Sequence, residues 1–97
     1  MSNRKTSWQE CKDPSDVDFY DVVISPKWLG YETIDSASFV APEGSGLTIG
    51  GVDTNGNIAR TRIGGGYPGE HAVEFTATTS PSGRVIQRSI YLRVAER

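Results

Sequence analysis

Ninety-seven residues, 36% hydrophobic and 23% charged, fit one small soluble-type domain with a single modest core. A formal net charge of -2 gives no electrostatic reason to bind nucleic acid or an acidic membrane surface, and no apolar run approaches the roughly 20 residues of a membrane helix. Arg4 and Lys5 are followed by no apolar stretch, so no secretory signal is expected, and Cys11, the only cysteine, rules out an internal disulfide and points to synthesis in a reducing cytosol.

Residues 1–15 read as a polar leader: they contain Pro14, lack periodicity, and carry Trp8 and Cys11 as their large apolar groups. The folded domain is expected over 16–97, and removal of residues 1–12 is expected to leave it folded. Residues 17–24 (VDFYDVVI), rich in β-branched and aromatic side chains and closed by Ser25-Pro26, predict a first strand. Trp28-Leu29-Gly30 predicts a tight connection. Residues 34–40 predict a second strand, in which strict alternation places Phe39 with Asp35 and Ala37 on one face and Ile34 on the other.

After the loop Pro42-Glu43-Gly44-Ser45-Gly46, residues 47–52 predict a third strand. Asn55-Gly56 suits a two-residue hairpin turn, and residues 58–63 return as a fourth strand. Arg60 and Arg62 share a face there, which suggests an exposed or edge face. A Gly-rich loop, 64–70, follows. The strongest signal is the period-two alternation of residues 71–79, with His71, Val73, Phe75, Ala77 and Thr79 in one phase. Ser80 to Gly83 predicts a turn, and residues 85–94 alternate again, with Ile86, Ile90, Leu92 and Val94 inward and Arg88 at the rim. No segment keeps a 3.6-residue period beyond two turns. The expectation is an all-β fold, an immunoglobulin-like β-sandwich of six to seven antiparallel strands with an extended N-terminal leader.

Motifs of chemistry are weak. Gly64, Gly66 and Gly69 spell a dinucleotide motif by letter, but Pro68 interrupts it and a strand, not a helix, follows. Asp53, Asn55 and Asn57 imitate the start of a calcium loop whose sixth and twelfth positions are wrong. Among Asp13, Asp16, Asp18 and Asp21, strand alternation separates the last from its neighbours. His71 has no histidine or cysteine partner at zinc-ligand spacing, and no serine stands in a nucleophile elbow. No enzyme, cofactor or metal is therefore expected. The aromatic residues of leader and loops are candidates for partner contact or sugar stacking: Trp8, Trp28, Tyr31 and Tyr67, together with Cys11, Arg60 and Arg62. For Trp28 the competing reading is a plug at the open end of the sandwich.

Asp13-Pro14, Val17-Asp18-Phe19-Tyr20-Asp21, Trp28-Leu29-Gly30, Thr33-Ile34, Val40-Ala41-Pro42, Gly46-Leu47-Thr48, Gly83-Arg84 and Arg88-Ser89-Ile90 occur in an order and spacing that carry a resemblance. From Asp13 onward the chain resembles a family of short tailed-bacteriophage accessory proteins that includes fibre-to-tail adaptors and neck and tail proteins. The resemblance implies an immunoglobulin-like fold, no catalysis, and assembly in several symmetric copies with other virion proteins. Two departures stand out: the family more often has Trp where Phe39 stands, and a Gly-Gly-Asp turn where this chain reads Gly30-Tyr31-Glu32. The expected function is a structural adaptor of the virion, made in the bacterial host cytoplasm. The alternative is a surface-adhesive or carbohydrate-binding immunoglobulin-like module.

Overall fold

The computed structural model describes residues 6–8 and 11–96. In chain order its elements are β1 (Thr6–Ser7), β2 (Val17–Val23), α1 (Pro26–Leu29), β3 (Thr33–Val40), β4 (Leu47–Asn55), β5 (Ile58–Gly65), β6 (Gly69–Ser80) and β7 (Val85–Val94). Two sheets form, one ordered β1-β7-β6-β3 and the other β2-β5-β4. The chain crosses between them at β1–β2, β2–β3, β3–β4 and β5–β6, and turns within a sheet at β4–β5 and β6–β7. This is the immunoglobulin-like connectivity of a Greek-key sandwich.

The core lies between the sheets. The alternation of β6 and β7 is realised as expected: Val73, Phe75, Ala77, Ile86, Ile90, Leu92 and Val94 are all buried, while Arg88 is exposed. Phe39 and Phe75 face each other across the β3–β6 pair, ring centroids 5.0 Å apart. They fill the middle of a sandwich that has no disulfide there.

Strict alternation fails twice, and a bulge explains each failure. Ile34 and Phe39 are both buried although five positions apart. The β3–β6 register shifts between Ile34 and Ser36, so Asp35 is the extra residue that turns Ile34 inward. In β4 the shift lies between Ile49 and Val52, where Gly50-Gly51 opposes Arg62. The carbonyl of Gly51 accepts the hydroxyl of buried Thr61 at 3.2 Å, so the bulge also satisfies a polar group facing the core.

Two further expectations are corrected. The segment at Trp28 is one helical turn, with Pro26 at its start and Gly30 at φ +64° closing it. The β4–β5 hairpin turns on Gly56-Asn57 rather than Asn55-Gly56, since Asn55 pairs with Ile58; only Gly56 takes positive φ. Of the two alternatives for Arg60 and Arg62, exposed face or edge, the exposed face holds, since β5 is the central strand of its sheet.

The described leader residues belong to the sandwich. β1 runs parallel to β7, pairing Thr6 with Ile90 and Ser7 with Tyr91, the one parallel pair among otherwise antiparallel strands of the described residues. Lys12 continues the contact: its N–H donates to the Arg93 carbonyl and its own carbonyl accepts from Ala95. Its side chain is buried, and Nζ donates to the carbonyls of Gly65 at 2.6 Å and Asp13 at 2.8 Å.

Candidate partner-binding surface

The residues picked out from sequence fall into four places, the fourth being the outer face of β2-β5-β4 with Arg60 and Arg62. Trp8 and half-buried Cys11 lie beside β7. Trp8 donates its indole N–H to the Asp21 carbonyl and packs on Tyr20, so its ring spans the gap between the sheets. Trp28 and Tyr31 sit at the end that carries the β6–β7 turn. Tyr67 sits at the opposite end, where its N–H donates to the Ser45 carbonyl and its carbonyl meets His71 Nε2 at 2.7 Å.

At the first end, Glu32 is the organising group. Its Oε1 accepts from Thr79 Oγ1, Ser82 N–H and Ser82 Oγ, and its Oε2 pairs with Arg84 Nη2 at 2.8 Å. The Ser82 hydroxyl, with further bonds from the Ser82 N–H and Thr79 and the charge of Arg84, holds the Glu32 carboxyl below its ordinary range against the opposing effect of burial. Arg84 also donates to the Leu29 carbonyl and lies over the Trp28 ring at 4.2 Å. Arg84 thereby ties α1, through Leu29 and Trp28, to the β6–β7 turn. Tyr31 projects from the neighbouring turn and is 84% exposed.

The outer face of β2-β5-β4 brings Arg60 and Arg62 together with a residue that sequence reasoning passed over. Phe19 is 53% exposed and stands between them, 5.5 Å from the Arg60 guanidinium carbon and 5.1 Å from that of Arg62. Arg60 forks onto Asp21 through Nε at 2.6 Å and Nη2 at 3.0 Å. That bond lowers the Asp21 pKa and raises that of Arg60. Arg62, among the described residues, has the Phe19 ring but no carboxylate. Val17, Val23 and Ile58 extend the apolar part of this face. An exposed aromatic held between two arginines, on rigid strands, is the side-chain chemistry that dominates protein interfaces.

Phe19 was hard to find because residues 17–24 are apolar in both phases: Val17, Phe19 and Val23 in one, Tyr20, Val22 and Ile24 in the other. Only the packing shows that the second phase faces the core. Among the described residues no group of three or more His, Cys, Asp or Glu side chains could hold a metal ion, and no helix is long and apolar enough to cross a membrane.

Connectivity and surface together define an immunoglobulin-like sandwich domain whose most developed feature is a fixed side-chain face rather than a cleft. The family model described as "Podophage GP4 fiber-tail adaptor protein gp77" matches residues 12–93, and the chain belongs to that family of phage fibre-tail adaptors. The matched span opens at Lys12, the buried residue that ties the leader to β7 and to Gly65. No curated protein matches the chain.

Proposed function

We propose that the protein is a non-enzymatic structural adaptor of a phage particle, joining fibre and tail through protein–protein contacts. The observation that carries this reading, beside family membership, is the outer face of β2-β5-β4, where Phe19 is exposed between Arg60 and Arg62. Strand backbones and the Asp21–Arg60 fork fix these side chains before any partner arrives, so little ordering entropy is lost on docking. The domain acts passively as a rigid spacer with a prepared surface. Several copies in a symmetric array would repeat that surface around the tail axis.

The test is genetic and structural. Particles assembled without this chain are expected to carry tails but no fibres, and supplying the chain in trans is expected to restore them. Particles that keep a full complement of fibres without it would overturn the proposal.

A further inference from the structure

The outer face is not uniformly charged. Arg60 is neutralised by its fork onto Asp21, and Asp53 stands opposite it on β4. Two strand positions further along β5, Arg62 has no such partner among the described residues and leans on the Phe19 ring. Beside it lies a depression of about 300 Å³ lined by Val17, Thr48, Gly50, Arg62, Gly64 and Gly65.

Three of those six residues are glycines, and two of them keep the space open. A Cβ on Gly64 would come within 2.9 Å of a Val17 methyl, and one on Gly50 would press on Arg62 Cβ at 3.3 Å. Among the described residues no acid lines the depression. Its one charge is a guanidinium, its walls are a valine and a threonine, and the Phe19 ring lies 5.1 Å from that guanidinium carbon.

We infer that this depression receives a carboxylate side chain of the partner protein, held by Arg62, with an adjacent apolar side chain of the same segment resting on Phe19 and Val17. The inference rests on the adaptor reading above. Charge complementarity selects the occupant, because among the described residues Arg62 is the cation of this face left without an anion, and a guanidinium binds a carboxylate in a planar fork.

Strand addition at the neighbouring β2 edge fits less well. The Phe19 N–H already donates to Asp18 Oδ1 at 2.8 Å, and the Asp21 carbonyl already accepts from Trp8. Both groups are taken, which blunts that edge and leaves side chains on the face to do the recognising.

The full-length chain, supplied in trans to particles that lack it, tests this. Wild type, Arg62→Gln, Arg62→Glu and Thr48→Glu are compared by copies retained per purified particle, with thermal melting as the folding control. Thr48→Glu leaves Arg62 in place but sets an acid on the rim of the depression. Each variant is expected to melt like wild type and to fall about tenfold or more in retention, the loss that removing one charge-assisted contact produces. Wild-type retention of Arg62→Gln overturns the inference while leaving the adaptor reading intact. Absence of the wild-type chain from particles overturns both.

Discussion

The indole N–H of Trp8 donates to the carbonyl of Asp21 at 3.0 Å, joining the edge of one sheet to the edge of the other. The Trp8 ring meets Tyr20 edge-on, with centroids 5.1 Å apart. A segment that composition marks as leader therefore closes the side of the sandwich. The same carbonyl belongs to the residue whose side chain holds Arg60, so the leader braces the strand that presents Phe19.

Trp8→Phe keeps most of the ring but loses the N–H, and is expected to destabilise the fold by about 1 kcal/mol in urea unfolding. Trp8→Ala also loses the packing against Tyr20 and is expected to cost about 2 kcal/mol or more. Deleting residues 1–12 removes Lys12 as well, and a clearly lowered urea midpoint is expected, where the sequence suggests only that the domain still folds. A midpoint equal to that of wild type would show that these contacts contribute nothing.

Glu32 makes stability depend on pH with a definite sign. Its carboxyl titrates below its ordinary value of 4.5 in the folded chain, so the unfolded chain takes up the proton first as pH falls. Its contribution is fully present above about pH 5 and is lost as pH falls through the folded pKa. Glu32→Gln is expected to lower stability at neutral pH and to flatten its decline in acid. Parallel pH profiles for the two proteins would contradict this.

Gly65 takes φ +68°, and a Cβ there would approach the Gly46 carbonyl oxygen to 2.7 Å. Because the obstacle is backbone, it cannot rotate away. Gly65→Ala is expected to cost about 2 kcal/mol or more in chemical denaturation, whereas Gly44→Ala, at positive φ in open space, is expected to cost less. Equal midpoints would remove close approach as the cause.

Much of this architecture was legible because β6 and β7 pair without a bulge and alternate but for Arg88, which identifies both strands, their inner faces and the turn between them. What was not legible has local physical causes. The bulges at Asp35 and at Gly50-Gly51 break the period that face assignment relies on. β1 is two residues long, too short to show a period. β2 is apolar in both phases, so Phe19 could be placed outside only by its packing. Arg60 and Arg62 were identified as a shared exposed face, but their company was not, because Asp21 and Phe19 come from a strand some forty residues away in the chain.

The outer face yields its own check. Phe19→Ala removes the ring on which both arginines rest, yet Phe19 is half exposed and adds little to the core. A stability change within about 1 kcal/mol is expected, together with a large loss of attachment to particles. A severe loss of stability with attachment preserved among the folded molecules would make Phe19 a structural residue instead.

The most direct measurement is the protein composition of purified particles by quantitative mass spectrometry. The adaptor account predicts that this chain is present at a fixed whole-number ratio to the tail protein, with fibre protein rising and falling with it. Complete, fibre-bearing particles that contain none of it would contradict the account.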